Sequence, residues 1–171
     1  MKKFIAITLV AFSALFMSCS NNSTQSSVIN YAANALTKVN NLLKMVPAAT
    51  GIQVVDNLTN GTVSSLSNIA GLLQNTTNLY SKYTNSGTNA QITLTDIMNS
   101  LAAYDAAKTG LTNLRTTWKN VSGEVKGMTS DKRTLADKSL NFVNNAIDVA
   151  QDAIGGGSGT LSGLLSLFGN K

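Results

Sequence analysis

The sequence predicts an all-α protein, a bundle of about four amphipathic helices. Three observations carry that expectation. Apolar residues recur at spacings of three and four through most of the chain, the period of one helix face. Polar stretches rich in turn-forming residues separate the periodic segments. The 171 residues hold a single proline, Pro47, placed between two of those segments. Ser, Thr and Asn make up 57 residues, and all three compete with helical hydrogen bonding. A β-rich alternative therefore has to be weighed. The spacing outweighs it, because only Ile92 and Leu94 alternate with period two.

The first periodic segment runs Val28, Ala32, Ala35/Leu36, Val39, Leu42/Leu43 and Val46, and Pro47 is expected to stop it. The second starts at or after Ile52 and is clear through Val63, Leu66, Ile69/Ala70, Leu73, Thr77 and Tyr80, with Gly61 a potential break. Gly71, beside Ala70, offers a place for a neighbouring helix to come close. Residues 84–89 form a turn by composition. Thr93 and Asp96 then suggest a capping-box start for a third helix through Ile97, Leu101, Tyr104, Leu111, Leu114, Trp118, Val121 and Val125. Lys108 falls on that stripe, Gly110 permits a kink or split, and Gly127 closes the helix. Ser130 is the expected N-cap of a fourth helix that buries Leu135, Phe142/Val143, Ala146/Ile147, Ala150 and Ile154, with Gly155 as its stop. A flexible Gly-rich run at 155–159 leads to a short amphipathic tail carrying Leu161, Leu164, Leu165 and Phe168 at helical spacing.

Composition excludes several chemistries. The chain has no histidine, one cysteine (Cys19) and one glutamate (Glu124). Ser-His-Asp and Cys-His nucleophilic sites, imidazole or cysteine-rich metal sites and disulfide frameworks are thereby ruled out. No cofactor is called for. Asp148 and Asp152 lie four apart on one helix face, the one pair that invites an acid/base or weak cation reading, although a solvated polar face is the plainer one. The glycine run follows a helix and lacks Gly-Lys-Ser/Thr, so it does not cradle phosphate. Tyr80, Tyr83, Tyr104 and Trp118 read as core aromatics, with Tyr83 the most exposed, before they read as a stacking platform.

Residues 1–18 have signal-peptide proportions: Lys2 and Lys3, then an apolar run to Met17 too short for a bilayer span of about 20 residues. Of the 13 basic residues these two lysines fall in the leader, leaving 11 against 8 acidic ones, or +3. That dispersed charge is no nucleic-acid footprint. The run ends Leu15-Phe16-Met17-Ser18-Cys19 and continues into a Ser/Asn/Thr/Gln stretch to Ser27.

This start resembles the signal and lipobox of bacterial lipoproteins, with Phe16 where leucine is usual and Leu15 one position further back. The resemblance implies cleavage before Cys19, diacylation of its thiol with fatty acids such as palmitate, and acylation of the new amino group. Ser20, in place of aspartate, implies sorting to the outer membrane, facing the periplasm. The Asn/Ser/Thr-rich remainder resembles small Bacteroidota lipoproteins of unassigned function. The expected organisation is a leader (1–18), a lipidated cysteine and polar tether (19–27), a helical domain (28–154), and a linker with tail (155–171). The leading functional expectation is a membrane-anchored, non-catalytic binding or structural module. A carrier of lipid or another small apolar ligand between helices is second, and an envelope enzyme using Asp148/Asp152 is remote. The tail either folds back over its own bundle or contacts a protein partner, a second copy or the lipid surface.

Overall fold

The computed structural model describes residues 22–85 and 94–156. Four helices follow one another: α1 (Asn22–Leu43), α2 (Gln53–Asn85), α3 (Leu94–Lys126) and α4 (Ser130–Gln151), the last running into a π turn, Asp152–Gly156. No strand occurs among the described residues. The all-α bundle is therefore established.

The helices alternate in direction. Ser65 of α2 meets Gly110 of α3, Arg115 of α3 meets Gln151 at the end of α4, and Tyr31 near the start of α1 meets Asp152. One end of the bundle thus gathers the close of α1, the start of α2, the close of α3 and the start of α4. The core runs between all four helices. Leu58, Leu66, Ile69, Leu72 and Leu73 of α2 face Leu111, Leu114, Val121 and Val125 of α3, with Ala32 and Val39 from α1 and Val143, Ala146 and Ala150 from α4 closing the sides. Most of these are positions that the three- and four-residue spacing marks, but Leu58 and Leu72 are buried without having been marked, and Thr62 is buried where Val63 was expected.

A third of the chain is Ser, Thr or Asn, and the structure shows how helices tolerate it. Thr59, Thr62 and Thr76 are buried, yet their hydroxyls donate to the carbonyls of Val55, Leu58 and Leu72, one turn back. Ser100 does the same to Asp96, half-buried Thr77 to Leu73 and, on exposed faces, so do Thr37, Ser67, Thr112, Thr116 and Thr117. Each of these buried hydroxyls shares a carbonyl of its own helix instead of demanding a partner across the core. Ser65 differs: it donates to the Gly110 carbonyl on the neighbouring helix at 3.3 Å.

Several local expectations are corrected. α1 starts at Asn22 rather than Val28, so residues 22–27 continue the helix instead of forming a tether; none of them is a helix breaker. It also stops at Leu43, before Pro47, where the amides of Lys44 and Met45 turn back on Asn40, Asn41 and Leu42, leaving Val46 exposed rather than on the stripe. Neither Gly61 nor Gly110 interrupts its helix. The close helix approach falls at Gly110, where an added Cβ would lie 3.2 Å from the Ser65 Oγ, while nothing lies within 4 Å of one at Gly71. Lys108 is exposed and Ala107 takes the buried place beside it. Leu135 is 56% exposed and Ala136 is buried in its stead, a shift of one residue that turns the face by about 100°. Thr129, extended at φ −61° and ψ 156°, precedes α4 in the N-cap position without a side-chain cap, so Ser130 is the first helical residue. Gly155 lies inside the π turn rather than ending α4. Thr93, Ile92 and the side chains of Val28, Tyr80, Tyr83 and Ile97 lie outside the described residues.

The glycines give a direct check. Gly61→Ala and Gly71→Ala should each raise unfolding free energy by about 0.5–1 kcal/mol, since both sit in helix with open space at Cβ. Gly110→Leu should lower it by about 1–3 kcal/mol through overpacking against α2. Urea denaturation followed at 222 nm measures all three.

Candidate functional site

Asp148 near the end of α4 and Asp152 at the start of the π turn, the pair that sequence spacing selects, are both exposed. Among the described residues no group of three or more His, Cys, Asp and Glu side chains is placed to hold a metal ion. What this end of α4 does is structural. The Tyr31 hydroxyl of α1 donates to the Asp152 carbonyl oxygen, and Arg115 of α3 donates through Nη2 to Gln151 Oε1 at 2.7 Å. Ala153 and Ile154 of the π turn are buried beneath these ties. The Tyr31 phenol is held above its ordinary pKa, first by burial and then by the negative charge of Asp152, so it stays a neutral donor. Sequence reasoning missed Tyr31, because it sits one position off the apolar stripe beside Ala32 and nothing local marks a contact 121 residues away.

The opposite end of the bundle is built differently. Between α1 and α2 the chain turns at Gly51, whose φ of +74° lies in the left-handed region that glycine alone adopts without strain. Asp56, in the first turn of α2, reaches back to this turn. Its Oδ1 accepts from the Thr50 amide at 2.7 Å and the Thr50 hydroxyl at 2.9 Å, and its Oδ2 accepts from the Gly51 amide at 3.0 Å. Thr50 Oγ1 in turn accepts from the Ile52 amide at 3.1 Å. Four donors near a helix N-terminus are satisfied by one carboxylate and one hydroxyl. Those hydrogen bonds, the Thr50 amide foremost, hold the Asp56 carboxyl below its ordinary pKa. A threonine and glycine followed by an aspartate in the first helical turn carried this signal in the sequence.

At this same end large apolar side chains face solvent. Met45 is 68% exposed, Val46 37% and Leu135 56%, whereas Met128 beside them in the chain order of the end packs onto the core. Because Leu135 is exposed where a buried residue was expected, the surface holds an apolar group that the periodicity hid.

Among the described residues, two buried polar atoms find no partner: the Trp118 indole N–H and the Ser139 hydroxyl. Trp118 and Tyr104 otherwise pack against the core, as their place on the stripe suggests. Cys19 and the tail residues Leu161, Leu164, Leu165 and Phe168 lie outside the described residues. No family model, curated protein or solved structure matches the chain.

The two ends titrate in opposite directions. Asp56 is a depressed acid, so its contribution is present above the ordinary carboxylate pKa and fades as pH falls through its lower folded value. Tyr31 is a raised acid, so its contribution is present below the ordinary tyrosine pKa and fades as pH rises through its higher folded value. Asp56→Asn should flatten the acid limb of a stability–pH curve. Tyr31→Phe should lower stability by about 1 kcal/mol at neutral pH and flatten the alkaline limb. Melting curves across the pH range test both.

Proposed function

We propose that this chain is a lipid-anchored envelope lipoprotein whose helical bundle is a non-catalytic binding or structural module, held at the outer membrane through Cys19 and facing the periplasm. The observation that carries the reading is the placement of exposed apolar side chains relative to the anchor. α1 begins at Asn22, three residues after Cys19, a stretch that spans about 11 Å at most. An acylated Cys19 would therefore grip the bundle by the end where α1 starts. Three of the four exposed large apolar side chains among the described residues, Met45, Val46 and Leu135, sit at the other end, roughly 30 Å away along α1, while the fourth, Met98, lies near the start of α3 at the anchored end. Exposed large apolar groups of this kind serve a protein partner.

The leader and the sole cysteine support the anchor. No helix among the described residues is long and apolar enough to cross a membrane, so the acyl chains would supply the attachment, two or three of them being needed for a durable one. The absence of histidine from the sequence, the exposure of Asp148 and Asp152, and the use of buried hydroxyls to share helical carbonyls favour a module over an enzyme.

Detergent phase separation tests the anchor. The protein produced in a bacterial host with its leader should enter the detergent phase and incorporate labelled palmitate, and Cys19→Ala should do neither. An unacylated wild-type protein in the aqueous phase would overturn the reading.

A further inference from the structure

We propose that Met45, Val46 and Leu135, with Lys44, Lys132 and Lys138 around them, form a docking surface for an acidic protein segment that presents apolar side chains. The proposal deepens the binding-module reading and rests on it for the position of the membrane.

The three apolar side chains belong to one place. α1 and α4 run antiparallel, fixed by the Tyr31 hydroxyl on the Asp152 carbonyl. Met45, fourteen residues after Tyr31, therefore stands about level with Lys138, fourteen before Asp152, and Leu135 lies just under one turn further on. Leu135 also sits on the side of α4 turned away from α3. Arg115 of α3 grips Gln151 on one flank of α4, and buried Ala136, Val143 and Ala150 run down the middle. Leu135 falls on the other flank, toward α1. Met45, Val46 and Leu135 are all exposed there.

Electrostatics select the occupant. Lys44 precedes Met45, and Lys132 and Lys138 lie three residues to either side of Leu135 on its own helix face. All three are exposed, and Asp131 is the acid beside them: three lysines less one aspartate leave +2. A second copy would bring this positive end against itself, which like-charge repulsion opposes. With Cys19 anchored, the lipid surface lies roughly 30 Å away, about three Debye lengths at physiological salt. The chain's own tail leaves at Gly156, twenty-one residues from Leu135 or about 30 Å along the helix, and Leu161 reaches at most about 17 Å from there. A separate protein whose carboxylates flank an apolar contact meets both features. Its charge steers and orients it, and burial of Met45, Val46 and Leu135 supplies the hold. The small patch suits a short segment rather than a broad interface.

Photo-cross-linking of the full chain in its native host tests this. Leu135→benzoylphenylalanine and Met45→benzoylphenylalanine should each cross-link to the same protein segment, identified by mass spectrometry, in which Asp and Glu outnumber Lys and Arg. Asn113→benzoylphenylalanine, at an exposed site of α3, should give at least tenfold less. Adding Lys132→Glu with Lys138→Glu should cut the Leu135 cross-link about tenfold, and about 1 M salt during illumination of envelope fragments should weaken it too. Lys132→Gln with Lys138→Gln should give a smaller loss, a grading by charge that a folding defect would not produce. A cross-link to phospholipid, to a second copy or to a segment without an acidic excess would overturn the inference. So would no cross-link at all, or one indifferent to the charge reversals. Palmitate labelling of the same cells reports on the anchor separately. A labelled chain without the acidic cross-link overturns this inference alone, and an unlabelled chain that still makes it overturns the lipoprotein reading alone.

Discussion

Everything in this fold depends on burial along the seam between α2 and α3. Leu58, Leu66, Ile69, Leu72 and Leu73 are almost fully removed from water there, against Leu111, Leu114, Val121 and Val125. The surrounding sequence gives these helices little support of its own, because Ser, Thr and Asn lose to turns and caps when nothing packs on them. Burying a leucine or isoleucine contributes about 1.5–3 kcal/mol, while a poor helix former costs a few tenths. A handful of well-placed apolar residues therefore outweighs a long run of weak ones. α1 and α4 complete the core with smaller side chains, mainly alanine and valine, which lets them sit close to the seam.

The hydroxyl-rich composition then becomes workable through local bonding. A buried threonine such as Thr62 would cost a desolvated hydroxyl if it had no partner, but its own helix supplies a carbonyl four residues back. Ser139 marks the limit of that device, being buried and unpartnered in α4. The bundle ends are secured by polar ties of a different kind: one carboxylate gathering the turn before α2, and a phenol fastening α1 to the end of α4.

The fold class and most of the core were legible in the sequence because helical spacing is a local signal. Val39, Leu66, Ile69, Val121 and Val143 all lie where the spacing puts them. What was not legible depended on phase and on distant contacts. Whether Leu135 or Ala136 turns inward is a one-residue question that neighbouring helices decide. The close contact at Gly110 rather than Gly71 depends on which face α2 and α3 share, and only Ser65 opposite Gly110 reveals it. For the candidate site, the aspartate pair was visible but its exposure was not, whereas Tyr31 and the exposed Met45 and Leu135 carried no local mark. The boundaries moved for a simpler reason: without prolines or glycines in 22–27, nothing in the chain halts α1 at Val28.

Packing, and not intrinsic preference, makes these segments helical. Circular dichroism of the isolated peptide 53–85, at low micromolar concentration in water, tests it beside the full protein. The peptide should be mostly coil and the protein mostly helix. A peptide with a helical majority on its own would contradict it.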